Sequence, residues 1–243
     1  MTTNAKLAVL IDADNAQASI IKELLEEVST YGTASVKRAY GDWTTTNLKG
    51  WKDTLHLMAI QPIQQFSYTT GKNSTDSSLI IDAMDLLHAQ QLDGFCLVSS
   101  DSDFTRLATR IREAGLVVYG FGERKTPAAF VAACDKFIYT EILRPAAAST
   151  TKPTGKSAAK PTPINLGETE EIIRKAITSA ARDDGFAALA GVGALIIKNS
   201  PAFDPRNYGC EKLGELMRKL SFVEVKEVHR EDSPHVHLFV RLK

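Results

Sequence analysis

Residues 95–122 read FCLVSSDSDFTRLATRIREAGLVVYGFG: an apolar run, an acidic turn, an amphipathic stretch and a second apolar run. FCLVSS and VVYGFG have the length and composition of strands, and Phe104 to Ala114 between them carries the periodicity of a helix. A strand, a helix and a strand in that order join two parallel neighbours, because the helix carries the chain back to the edge where the first strand began. The alternation continues on both sides, with KLAVLID before Ala16 to Val28, SVKRAY before Leu48 to Met58, and IQQF before Ser77 to Leu87. Beyond residue 122 come a short helix near Ala128 to Ala133 and the run FIYTEIL. This regularity predicts an α/β domain, a mostly parallel sheet flanked by helices on both faces. In such sheets ligands bind in the crevice at the carboxyl ends of the strands.

After residue 144 the pattern breaks. RPAAASTTKPTGKSAAKPTP has almost nothing to bury and reads as a flexible or semi-extended linker. Glu168 to Arg182 and Ala187 to Lys198 then read as helices, and Leu213, Leu216, Met217 and Leu220 give the apolar stripe of a third. FVEVKEV and HVHLFVRL are alternating strands joined by the turn-rich HREDSP. Three helices and a β-hairpin predict a small winged-helix α+β domain. The expected boundaries are a catalytic domain at 1–144, a linker at 145–163 and the winged helix at 164–243.

With 44% hydrophobic and 24% charged residues the chain has the composition of an ordinary folded protein. Its formal net charge is zero, so bulk basicity gives no argument for nucleic acid. Residues 1–144 hold 14 Lys and Arg against 17 Asp and Glu, and the remainder hold 15 against 12. Lys152, Lys156 and Lys160 of the linker supply nearly all of that second excess. Cys96, Cys134 and Cys210 have neither metal-site spacing nor a disulfide pattern, which predicts a reducing, cytoplasmic compartment. KLAVLID is too short to span a membrane and lacks a basic leader, so it reads as a buried strand.

The acids carry the chemical signal. Asp12 ends the first strand, Asp101 and Asp103 follow the fourth, and Asp76 opens the third crossover helix, so a parallel sheet gathers all of them at one edge. Carboxylates this close repel at neutral pH unless a cation lies between them. Mg²⁺ or Mn²⁺ suits carboxylate and water ligands, and such a centre binds a phosphodiester and activates water. Taken one at a time, Asp76 is also a favourable first-turn acid, and Asp101 or Asp103 a helix cap. Asp14 reads as solvent-facing or supporting, and Asp82 and Asp85 as supporting residues or a solvated helix face.

VLIDADNA, with Asp12 and Asn15, resembles the signature of the NYN domain family. KNSTDSSLIIDAMDLL resembles the NYN helix that opens on an Asp and carries a second one, here Asp76 and Asp82. LVSSDSDFTRLATRIREAG followed by VVYGFG resembles the LabA-like branch, with Arg106 and Ser100 where that branch often has proline and glycine. The resemblance implies a PIN-like, Mg²⁺- or Mn²⁺-dependent ribonuclease. Asp12, Asp76, Asp101 and Asp103 would then be metal ligands, and Asn15 would orient a water or a phosphate. Lys72, Arg124 and Lys125 near that edge are candidate RNA contacts, with Arg38 a weaker one.

DGFAALAGVGALIIKNSPAFDPRNYGCEKLGELMRKLSFVEV resembles the LOTUS or OST-HTH domain, which implies a module that binds RNA or docks a protein partner. Phe203, Tyr208 and Leu213 read as core, and Gly209 as the residue that permits a tight turn. Arg206, Lys212, Arg218, Lys219 and Lys226 are its candidate RNA contacts. Two other functions compete with the nuclease. Asp12-Ala-Asp14 mimics the nucleophile and acid of a haloacid-dehalogenase-like phosphatase, although no flap can be inserted before the helix that follows Asn15. A non-catalytic RNA or protein adaptor is the other, and it leaves the clustered acids without a purpose. The histidines form no nucleophilic constellation.

Overall fold

Leu7 through Asp12 are all buried, and a strand with no solvent face belongs in the middle of a sheet covered on both sides. The computed structural model describes residues 5–66, 74–144, 166–230 and 233–243. The chain divides into two compact units, residues 1–146 and 147–243.

In the first unit the elements run β1 (Lys6–Asp12), α1 (Ile21–Ser29), β2 (Thr33–Gly41), α2 (Trp51–Leu57), β3 (Gln61–Gln64), α3 (Ser74–His88), β4 (Gly94–Val98), α4 (Thr105–Glu113), β5 (Val117–Gly122), α5 (Ala128–Ala133) and β6 (Lys136–Tyr139). The six strands lie in the order β3-β2-β1-β4-β5-β6, and every described pairing is parallel. Strand order therefore reverses between β1 and β4. That is the place in a doubly wound sheet where the crossovers diverge and leave a crevice at the carboxyl ends. Ile21, Leu24 and Val28 of α1 pack with Val9 and Ile11 of β1 and Cys96 and Val98 of β4 in one fully buried cluster.

Several elements differ from the sequence reading for local reasons. Ala16 to Val28 is not one helix: a 3-10 turn at Ala18–Ile20 precedes α1. The third strand is Gln61–Gln64, ahead of the expected IQQF, and includes Pro62. Proline is tolerated there because β3 is an edge strand, with β2 as its one neighbour among the described residues. FIYTEIL leaves the sheet after Tyr139 and ends in a 3-10 turn, Thr140–Ile142.

The second unit runs α6 (Leu166–Ala180), β7 (Ala187–Ala188), α7 (Leu189–Asn199), α8 (Leu213–Lys219), β8 (Val223–Arg230) and β9 (Ser233–Leu242). Its antiparallel sheet has the order β7-β9-β8. Ile173, Ile177, Val192, Ile196, Met217 and Val240 build its core, making it a small α+β unit. The short strand β7 occupies what reads as the first turn of a helix, since two alanines carry no alternation that would mark a strand. Phe203 is buried and Tyr208 is half-buried, with its hydroxyl 2.8 Å from Thr169 Oγ1. Gly209 has φ 70°, the left-handed conformation expected for the turn after the 3-10 segment Pro205–Tyr208. The linker at 145–163 and Lys72 lie outside the described residues. No described helix is long and apolar enough to cross a membrane.

Candidate metal centre

Asp12 is the last residue of β1 and has no exposed surface. Its Oδ2 accepts hydrogen bonds from Asn15 Nδ2 and from Ser99 Oγ, each at 2.8 Å, and Oδ1 accepts a longer one from Asn15 N at 3.3 Å. Burial raises the pKa of this carboxyl, with the hydrogen bonds from Asn15 and Ser99 opposing it. Ser99 follows β4 directly, and because β4 is the neighbour of β1 its hydroxyl faces the exit of the first strand.

Asp76 sits in the first turn of α3 and is 9% exposed. A helix start favours a negative charge. Here burial outweighs it, and Asp12, Asp101 and Asp103 add like charge, so that the Asp76 carboxyl is pushed up to about 6. Asp101 caps the 3-10 turn Ser102–Phe104 by accepting from Asp103 N at 3.0 Å, and its own N donates to Ser99 Oγ at 3.1 Å. One carboxylate oxygen from each of Asp76, Asp101 and Asp103 lies within 4.8 Å of the other two. Three hard oxygen donors at this spacing fit Mg²⁺ or Mn²⁺. Asp12 is not one of the three and stands as a buried neighbour, coupled to Asp76 by charge and to Asp101 through Ser99.

The remaining acids sort by their partners. Asp14 is exposed and accepts from Thr75 Oγ1 at 3.0 Å, which ties the β1 exit to the first turn of α3. Asp82, further along α3, accepts from Arg38 Nη1 and from Tyr40 Oη, both at 2.9 Å. It anchors α3 to β2 and is not part of the cluster, and Arg38 is committed to the same contact.

Of the candidate RNA contacts in this unit, Arg124 packs over the Tyr139 ring at 5.2 Å, and exposed Lys125 pairs with Glu123 at 2.8 Å. In the second unit Arg206 clasps buried Asp204 through Nε and Nη2, at 2.9 and 2.7 Å. Asp204 also accepts from Arg206 N, so this arginine has a structural task in the turn. Lys212 is exposed at the start of α8, Arg218 pairs with Glu227, and Lys219 Nζ donates to Gly209 O at 3.3 Å. Lys226 is exposed and lies over the Phe186 ring at 5.4 Å.

Ser99 and Thr75 are site residues that the sequence reading passes over. Ser99 opens SSDSDF at the end of a strand, which was the available signal, while its partner depends on β4 lying beside β1. Thr75 offers none, since its role depends on where α3 lands.

A family model for the NYN domain matches residues 6–143, and one for the OST-HTH/LOTUS domain matches residues 166–233. Among solved structures, a protein of unknown function from Vibrio parahaemolyticus is 18% identical, covering 56% of this chain and 93% of its own, with a TM-score of 0.47. An uncharacterized protein from Nitrosomonas europaea is 25% identical over 39% of this chain and 83% of its own, with a TM-score of 0.28. A fragment of a protein from Chromobacterium violaceum is 38% identical over 30% of this chain and 78% of its own, with a TM-score of 0.26. No curated protein matches the chain. The NYN match spans more than half of the sequence and every carboxylate of the cluster, and the chain belongs to the NYN domain family.

Proposed function

We propose that this protein is a divalent-metal-dependent ribonuclease, with residues 1–144 holding the chemistry, residues 145–163 a linker and residues 164–243 a winged-helix module that binds RNA. The observation that carries the reading is the convergence of Asp76, Asp101 and Asp103 at the switch point of a parallel sheet. Asp76, Asp101 and Asp103 would hold Mg²⁺ or Mn²⁺ directly, and Asp12 through water. When bound, the ion lowers the pKa of water and neutralises charge on the phosphate.

The protein's own contribution is positioning. Ser99 and Asn15 hold Asp12 in one orientation, and Asp101, fixed by the N–H of Asp103, keeps the acidic turn closed. Asn15, exposed beside Asp12, is the group to orient a water or a phosphate oxygen. Water adds to phosphorus, the bridging oxygen leaves with the electron pair, and a proton replaces the broken bond on that oxygen. Lys72, Arg124 and Lys125 would contact the incoming backbone, and Arg206, Lys212, Arg218 and Lys219 the RNA held by the second unit. A phosphatase acting through Asp12 finds no support in a carboxylate with no exposed surface and both oxygens engaged.

The test is incubation of an RNA pool with and without Mn²⁺, followed by sequencing of the new ends, for wild type and Asp101→Asn. Metal-dependent cleavage lost in the variant is expected. An asparagine oxygen still accepts the N–H of Asp103, so the turn survives and the metal-free melting temperature holds or rises. Undiminished turnover in Asp101→Asn overturns the assignment.

A further inference from the structure

Beside α2 and the edge strand β3 lies a groove of about 850 Å³, walled by Trp43, Leu48 and Pro62, with exposed Lys49, Lys52 and His56 in its lining. Its volume is that of a small-molecule site. None of the described residues lining it is acidic, in contrast to the carboxylate cluster. One wall of the groove approaches the exit of β1. A side chain at Gly41 would meet Leu48, which lines the groove, at 2.6 Å, and Asp14 Oδ1, at the exit of β1, at 3.6 Å. Trp43 is held rigidly, its Nε1 donating to Ile63 O at 3.0 Å and its ring edge-on to Trp51 at 6.3 Å.

An apolar wall with a fixed aromatic ring and cations at the lip is the combination that binds single-stranded nucleic acid: bases stack on the ring while lysines track the phosphates. We propose that this groove seats a nucleotide of single-stranded RNA next to the one whose phosphate is cut, its base against Trp43 and its phosphate at Lys49 and Lys52. The proposal rests on the ribonuclease reading for its substrate. It commits to RNA and not to a peptide because the lysines leave the rim positively charged, and because the Leu48 wall approaches Asp14 at the exit of β1 across Gly41.

Both tryptophans of the chain, Trp43 and Trp51, belong to the first unit, so their fluorescence reports on this groove even when the second unit also binds RNA. The experiment titrates full-length Asp101→Asn protein with a six-nucleotide single-stranded RNA, and separately with an abasic version. Quenching by the RNA and little by the abasic strand is expected. Adding Lys49→Glu and Lys52→Glu, both exposed, should weaken binding about tenfold. Two lost contacts to single-stranded phosphates at roughly 0.7 each should lower the salt slope of log Kd by about 1.4.

In the cleaving protein the same two lysine substitutions should raise KM and leave kcat near wild type. Cleavage with an unchanged KM, or binding with no quenching, overturns the groove proposal, leaves the nuclease reading standing and gives the groove to a protein partner. Quenching and lysine dependence in a protein that cuts no RNA would overturn the nuclease reading instead.

Discussion

The Ser99 hydroxyl donates to Asp12 Oδ2 at 2.8 Å and accepts from the backbone N–H of Asp101 at 3.1 Å, so one buried oxygen joins the exit of β1 to the acidic turn after β4. Removing it strips a buried carboxylate of one of its donors and the turn of its acceptor. Ser99→Ala should therefore cost about 1–3 kcal/mol of stability, because a buried polar group left unpaired bears its full desolvation penalty. Urea unfolding at pH 7 measures this, and a loss below 0.5 kcal/mol, on the order of an ordinary surface change, would show that the bond has no structural weight.

Asp76, with its carboxyl pushed up to about 6, makes stability depend on pH in a direction opposite to a paired carboxylate. The folded state holds this proton more tightly than the unfolded chain does. Its stabilising effect is complete below the ordinary carboxylate pKa near 4 and disappears as pH rises through about 6. Without metal, Asp76→Asn should be more stable than wild type at pH 7, by up to about 3 kcal/mol, and lose that advantage by pH 4. Melting curves of both proteins across this range check it, and a difference that does not change with pH refutes it.

Metal should reverse that penalty. A ligand that binds only the folded state stabilises it by mass action, about 2.7 kcal/mol at a concentration a hundred times its Kd. Mn²⁺ should raise the melting temperature of wild type, and Asp103→Ala should erase the shift, since Asp103 is one of the three converging donors. Equal responses from the two proteins would place the metal elsewhere.

Activity should also follow the two-unit division. Residues 1–144 alone should cut a short single-stranded RNA with a kcat close to that of the full chain. They should cut a long structured RNA with a higher KM, because a tethered second site adds effective concentration of roughly millimolar order without new contacts at the first. Comparing both proteins on both RNAs measures this. Equal KM on the structured RNA would assign the second unit to a protein partner, and loss of kcat on the short RNA would mean that the two units form one site.

Much of this was legible before any fold was known, because burial and periodicity are local properties of the chain. A run such as Leu7 to Ile11, apolar at consecutive positions, reads as a central strand, and the strand–helix alternation around it leaves a parallel sheet as the economical solution. Asp12, Asp101 and Asp103 at strand ends, and Asp76 at a helix start, then fall at one edge whatever the details.

The partners of these groups were not local and could not be read from pattern. Asp82 reads in sequence as a supporting residue or part of a solvated helix face, and only the path of α3 over β2 turns it to Arg38 and Tyr40. Arg206 looks like a free cation until the turn brings buried Asp204 under it. Ser99 gains its role because β4 lies beside β1, and strand order is settled by how helices of particular length and bulk pack on the sheet. Sequence pattern specifies which face of each element is apolar. The free energy of packing those faces together chooses the neighbours, and the neighbours decide which carboxylates meet.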